Sequence, residues 1–343
     1  MRTALLRAVG DLVLTETEMP AISGADEVLV QVKAVGICGS EVHAYRGTHP
    51  FRKAPAILGH EAAGIVAQVG AAVTAFAPGD RVYVDPQRTC GRCVYCQAGQ
   101  INLCPQKAVL GTLEWPGAFG EYIVAPSEAL YHLPDALSYL QGALVEPLTV
   151  AVHVARRAQV RAGEGIAVLG TGSIGSLLVG VCRALGASPI VAVDIRPHPL
   201  DVARTRLGAT HAVLLPRDDL EATVGRATGE SGLDVVFCTA DEPGLATRGS
   251  ALLRRRGRLL IVALMTQAPI ELEAYRILSQ ELQVIGSTMS AHEDVRDAIE
   301  LAATGAVDVS AIATHVLPIE RAPQAIELAA TKGEDAIKVV LTF

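Results

Sequence analysis

The chain has 343 residues, 50% of them hydrophobic and only 4% aromatic, with a formal net charge of −7. This length predicts two domains, with enough apolar material for two cores built chiefly from Ala, Val, Leu and Ile. The acidic balance and the lack of a Lys/Arg-rich run argue against nucleic acid as a partner, and no apolar run approaches the ~20 residues that span a bilayer.

The opening run MRTALLRAVGDLVLTETEMP breaks its apolar residues with charges. It reads as strand–turn–strand, without the apolar core of a secretory leader, and a cytoplasmic protein is expected. Up to about residue 149 the chain reads as short strands and turns. EVLVQVKAVGICG, EAAGIVAQVG and DRVYVDP are β-rich, and Pro78-Gly79-Asp80 marks a tight turn.

Three fragments of this β-rich part carry metal-binding residue types. They are Gly36-Ile37-Cys38-Gly39-Ser40-Glu41-Val42-His43, Gly59-His60-Glu61 and Val145-Glu146-Pro147-Leu148. A catalytic zinc takes about three protein ligands and keeps one position open. Cys38, His60 and Glu61 supply sulfur, nitrogen and oxygen donors. Glu146 is either a fourth ligand or the holder of the zinc-bound water. Between these fragments stand Cys90, Cys93, Cys96 and Cys104, spaced C-x2-C-x2-C-x7-C. Four thiolates so close together can close around one tetrahedral zinc, which leaves no position for substrate and so props a lobe, at about 88–106. Disulfides are the alternative, disfavoured in a reducing compartment. Cys182 and Cys238 read as core residues.

From about 150 to 288 strands alternate with helices. GIAVLG, PIVAVDI, HAVLL, DVVFCTA, GRLLIVA and QVIGST are short apolar runs, and between them lie SIGSLLVGVCRALG, LDVARTRLG and LATRGSALLRRR. That alternation predicts a doubly wound α/β unit with six parallel strands and helices on both faces. Gly170-Thr171-Gly172-Ser173-Ile174-Gly175 matches G-x-G-x-x-G between the first strand and first helix, and Asp194 ends the next strand 24 residues after Gly170. The pattern predicts a dinucleotide site, with pyrophosphate on the helix N-terminus. Asp194 would bind the adenosine ribose and repel a 2′-phosphate, favouring NAD over NADP; Arg196 is the group that could meet such a phosphate. Arg254, Arg255, Arg256 and Arg258 read as a solvated helix end. The last stretch, 289–343, reads as helix, strand, helix and strand returning to the first domain.

With GICGSEVH, GHE, the four-cysteine lobe, VEPL and GTGSIG followed by Asp194, the chain resembles, over essentially its full length, the zinc-containing medium-chain dehydrogenase/reductases. Glu61 after His60, and Glu146 where classical alcohol dehydrogenases use cysteine, resemble the polyol branch of sorbitol, threonine, sugar-acid and cyclitol dehydrogenases. YRGTHPF at 45–51 is similar to sugar-acid 5-dehydrogenases. The resemblance implies a GroES-like catalytic domain (1–149 and 289–343) beside a Rossmann NAD domain (150–288), two zinc ions per chain, and a homodimer or homotetramer acting on a small molecule. It implies zinc acting as a Lewis acid on a secondary alcohol and hydride passing to the nicotinamide, with a proton relay from Ser40 through the cofactor ribose to His43 and solvent. By alignment with threonine dehydrogenase, Ala263, Leu264, Ser287 and Thr288 border the nicotinamide. Tyr45, Arg46, His49, Phe51, Trp115 and Phe119 are candidates for the pocket walls, although Trp115 reads more simply as packing and Arg46 and His49 could face solvent. Pro197 and Pro199 are expected to stiffen the turn after Asp194, and Pro199 stands where sorbitol and threonine dehydrogenases carry an arginine. The competing readings are a reductase of activated C=C bonds on this fold, which would lack the metal ligands, and a non-catalytic NAD-binding protein.

Overall fold

The strand Glu27–Ile37 organises the first part of the molecule, and its alternation explains why: Val28, Val30 and Val32 are all fully buried. The computed structural model describes residues 1–264, 269–333 and 335–343. Those residues divide into two units. One comprises Met1–Glu146, Ala291–Ala303 and Ala313–Phe343; the other comprises Pro147–Ser290 and Thr304–Ile312. The segment 304–312, read from sequence with the first domain, belongs to the second. Val307 packs there against Gly180, and Asp308 pairs with Arg206.

In the first unit, Glu27–Ile37 pairs antiparallel with Glu61–Val69, Tyr122–Pro126 and Lys338–Thr342. The register sets Gly36 opposite Glu61 and Ile37 opposite Val339. Two distant stretches are thereby drawn beside the end of one strand, where Cys38 follows. The N-terminal strands Arg2–Ala8 and Asp11–Glu16 form the expected antiparallel pair, and Leu5 sits opposite Ile57, three positions before His60. The short strands Gln87–Arg88 and Ala108–Val109 pair at the base of the cysteine lobe.

In the second unit six parallel strands run in the order His211–Leu214, Ile190–Asp194, Ile166–Leu169, Leu233–Cys238, Leu253–Ile261, Gln283–Gly286. The chain reverses its direction of travel across the sheet at Ile166–Leu169, and open α/β sheets bind ligands beyond the carboxyl ends of strands at such a point. Cys182 and Cys238 are fully buried, as expected.

Two local expectations are corrected. The helix Pro243–Ala251 stops short of the arginine run, and Arg254 to Arg258 lie in the strand Leu253–Ile261. Carboxylates make this possible: Arg254 pairs with Asp234 and Arg258 with Glu164. Pro197 and Pro199 do not stiffen a turn. They stand in the helix Pro197–Thr205, whose first turn tolerates proline because its N–H groups have no helical acceptor.

Candidate active site

Cys38 is the N-cap of the helix Gly39–Tyr45, and Glu41 at N3 reaches back to accept the Cys38 N–H at 2.9 Å. The other carboxylate oxygen of Glu41 accepts from His60 Nδ1 at 2.5 Å. One buried acid thus fixes the backbone of one expected ligand and the ring of another. With Nδ1 committed, Nε2 is the nitrogen free to take a metal, the usual arrangement for a ligating histidine. Burial by itself would raise the Glu41 pKa. The charge and hydrogen bond of His60, then Arg52 and the Cys38 N–H, overcome it and hold the carboxyl at about 2.

Glu61 opens the strand Glu61–Val69 and is fully buried. Its Oε1 accepts from Lys338 Nζ at 2.6 Å, and its Oε2 is buried without a hydrogen-bond partner. Space for Oε2 exists because residue 36 is glycine: a Cβ there would lie 1.9 Å from it. The Lys338 ammonium also donates to the Ile37 carbonyl at 3.2 Å. Burial opposes its charge, but the surrounding Glu61, Cys38 and Glu146 more than offset this and keep it protonated. Glu146, in the first turn of the helix Val145–Ala158, groups with His60 and Glu61, their ligand atoms all within 4.8 Å of one another. Burial raises its carboxyl to about 7; His60 and Lys338 oppose the rise and Glu61 adds to it. Cys38, Glu41 and His60 form a second group within the same distance.

The donor set and the orphaned Glu61 Oε2 fit a divalent metal. The cysteine lobe fits one too. Cys93 Sγ lies 3.5 Å from Cys96 Sγ, Cys104 Sγ 3.6 Å from Cys90 Sγ, and Cys90 Sγ 4.0 Å from Cys96 Sγ. Tetrahedral zinc–sulfur bonds of about 2.3 Å place sulfurs about 3.8 Å apart, whereas a disulfide needs about 2.0 Å.

Ser40 Oγ is buried and unpartnered. His43 follows one helical turn later, half-buried, with Nδ1 3.0 Å from Thr48 Oγ1. The expected pocket walls separate into three groups. Trp115 (3% exposed) and Phe119 (0%) are core residues and present almost no surface to a ligand. Trp115 Nε1 is spent on the Val124 carbonyl, and Phe119 stacks behind Gly59, where a Cβ would lie 2.4 Å from its ring. Tyr45 packs on the core edge, and Arg46 is held by the Ala330 carbonyl. His49 is buried, its Nδ1 accepting the Arg52 N–H at 3.0 Å, and Phe51 is exposed.

In the second unit the glycines act separately. Gly170 adopts φ +103°, open to glycine at little cost. Gly172 faces open space, as a close phosphate requires, and a Cβ on Gly175 would lie 1.8 Å from the Gly170 carbonyl oxygen. Ser173 and Ile174 begin the helix Ser173–Ala184. Asp194 Oδ2 accepts from Thr171 N at 2.7 Å and Thr171 Oγ1 at 2.9 Å, so this acid also braces the glycine loop. Arg196 Nε stands 3.9 Å from Asp194 Oδ1. Ala263, Leu264, Ser287 and Thr288 follow the carboxyl ends of two adjacent strands, and Ser287 Oγ is buried without a partner.

Residues 24–135 match the model of the alcohol dehydrogenase GroES-like domain, and residues 173–304 that of zinc-binding dehydrogenases. A sorbitol dehydrogenase of Bacillus subtilis is 36% identical, over 99% of this chain and 97% of its own length. Among solved structures, an Escherichia coli oxidoreductase of unknown specificity superposes with a TM-score of 0.94 at 33% identity, covering 99% of this chain and 98% of its own. A zinc-binding dehydrogenase of Sinorhizobium meliloti, bound to NADP, superposes with a TM-score of 0.91 at 32% identity, covering 100% and 99%. The chain belongs to the zinc-containing medium-chain dehydrogenase/reductases, with a GroES-like domain and a Rossmann domain. It is an oxidoreductase that uses zinc and a nicotinamide cofactor on a small molecule.

The sequence reading passed over Glu41, Arg52 and Lys338. Glu41 had a local signal, its N3 position after Cys38. Lys338 had a weaker one, the single charge in the mostly apolar IKVVLTF. Arg52 had none.

Proposed function

We propose that this protein is an NAD-dependent dehydrogenase that oxidises a polyhydroxylated secondary alcohol (a sugar alcohol, sugar acid or cyclitol) to the ketone. The observation that carries the reading is the pair of buried, unpartnered oxygens, Glu61 Oε2 and Ser40 Oγ, beside the Cys38–His60 cluster. Buried polar atoms without partners are rare in native structures, and here a metal and a substrate hydroxyl would satisfy them.

In this reading Cys38, His60 and Glu61 hold the catalytic zinc, with Glu146 beside it, and Cys90, Cys93, Cys96 and Cys104 hold a second, structural one. The bound zinc supplies Lewis acidity to the substrate hydroxyl and the nicotinamide a hydride acceptor. Ser40 Oγ would accept the hydroxyl proton while giving up its own, and His43 would release a proton to solvent. Lys338 occupies Glu61 Oε1 and so leaves Oε2 for the metal. Gly170, Gly172, Ser173, Ile174 and Gly175 cradle the pyrophosphate, and Ala263, Leu264, Ser287 and Thr288 border the nicotinamide. The charge of Asp194 favours NAD over the 2′-phosphate of NADP. Tyr45, Arg46, His49 and Phe51 are the remaining candidates for contact with substrate. The similarity to a sorbitol dehydrogenase supports the polyol class. Seven cysteines outside any disulfide fit a cytoplasmic protein.

The test is reduction of NAD and NADP, followed at 340 nm, against sugar alcohols, aldonates, inositols and simple secondary alcohols. Turnover of a polyol with NAD, abolished in Cys38→Ala while NADH binding persists, is expected. Undiminished turnover in Cys38→Ala would remove the catalytic zinc from this site.

A further inference from the structure

Arg52 is a buried cation in the core of the first unit, only 3% exposed. Its Nη1 donates to the carbonyls of Leu110 and Gly111, both at 2.9 Å, and lies 3.5 Å from Glu41 Oε1. Its Nε is buried without a partner. A guanidinium that leaves one donor unsatisfied in the core is costly, so the contacts its Nη1 makes must offset that cost.

Those contacts join two places. Leu110 and Gly111 follow the strand Ala108–Val109, whose pairing with Gln87–Arg88 closes the base of the cysteine lobe. Glu41 holds the His60 ring and the Cys38 backbone. Gly111 is itself shaped to the contact: it adopts φ +85°, and a Cβ on it would lie 2.4 Å from Arg52 Nη1.

We infer that Arg52 is a positioning residue that ties the exit of the cysteine lobe to the metal-facing His60 through Glu41, setting how firmly the catalytic metal is held. The inference rests on the proposed reading of Cys38, His60 and Glu61 as that metal's ligands. Partners one step behind a ligand, as Glu41 is, commonly change metal affinity about 10- to 100-fold, and Arg52, one step further back, acts by a smaller factor.

The experiment follows zinc release from the holoenzyme to a chromogenic chelator, together with the d–d spectrum of protein carrying cobalt in the catalytic position. The wild type is expected to hold two metals and release them in two phases. Arg52→Met is expected to speed release of one metal by about threefold to tenfold and to shift the cobalt band, leaving the other phase unchanged. Arg52→Lys keeps the charge without the planar fork and should not restore the slow phase. Gly111→Ala, with the guanidinium displaced but present, should reproduce the effect and add nothing in an Arg52→Met background. Should Arg52→Met fail to fold, Gly111→Ala and Arg52→Lys carry the test. Wild-type release and spectra in all three variants would overturn the inference. A wild type that binds one metal per chain would instead overturn the reading of the catalytic site.

Discussion

At the scale of single residues, the site depends on atoms that are absent as much as on those present. Gly36 gives Glu61 its place, because a Cβ would lie 1.9 Å from Oε2. Gly36→Ala is therefore expected to displace Glu61 and, in the proposed reading, to weaken the catalytic metal about 10- to 100-fold, with kcat/KM falling in step. Metal analysis should find the cysteine lobe still loaded. Asp85 offers a separate case. Its Oδ2 is buried without a partner, and burial raises its carboxyl from 3.8 to about 7, with Gln87 only partly opposing. An acid whose folded pKa lies above its unfolded one favours the fold while protonated. Its contribution is whole below the unfolded value and is lost as pH rises towards about 7. Asp85→Asn should remove that slope and gain stability at pH 8 on the order of 3 kcal/mol relative to the wild type. Thermal midpoints at pH 5 and pH 8 check it: an unchanged difference between the two would contradict the shift.

Elements show which parts of the chain stand alone. The strand–glycine turn–helix at 166–184 is one such part, since Gly175 packs helix against strand with no room for a methyl group. Gly175→Ala, with its Cβ 1.8 Å from the Gly170 oxygen, should weaken NADH binding at least tenfold in a fluorescence titration. It should also lower the thermal midpoint. The cysteine lobe is another. Cys93→Ser is expected to cost one metal per chain and impair folding, because structural zinc contributes directly to folding free energy. A soluble variant with its full zinc would refute that role. The arginine run shows where element prediction gives way to partners. Arg254 and Arg258 occupy a parallel strand because Asp234 and Glu164 receive them.

For the molecule as a whole, the strand Gln283–Gly286 ends the six-stranded sheet with its edge open among the described residues, and Val284 is 45% exposed. Nearby in sequence, Tyr275 and Leu278 are 81% and 77% exposed. Open edges beside apolar side chains recruit a further strand, and a second copy of this chain would supply it. Light scattering should find a dimer or tetramer, which Val284→Lys weakens; a wild-type monomer at micromolar concentration would exclude this assembly. Much of the molecule was legible from local spacing. The cysteine lobe, the glycine turn with Asp194, the six strands and the Cys38, His60 and Glu61 donors each follow from residues a few positions apart, or from one repeating period. What spacing could not supply is whatever depends on register between distant strands. Lys338, on the last strand, reaches Glu61 across the end of Glu27–Ile37, Arg52 reaches Leu110 and Gly111, and Phe119 turns from a candidate pocket wall into core. Sequence thus set the chemistry available to this protein, since ligand type and spacing are covalent facts. The tertiary structure alone decided which Glu61 oxygen pairs with Lys338 and which is left without a partner, because neutralising one buried charge with another is settled only when the chain is packed.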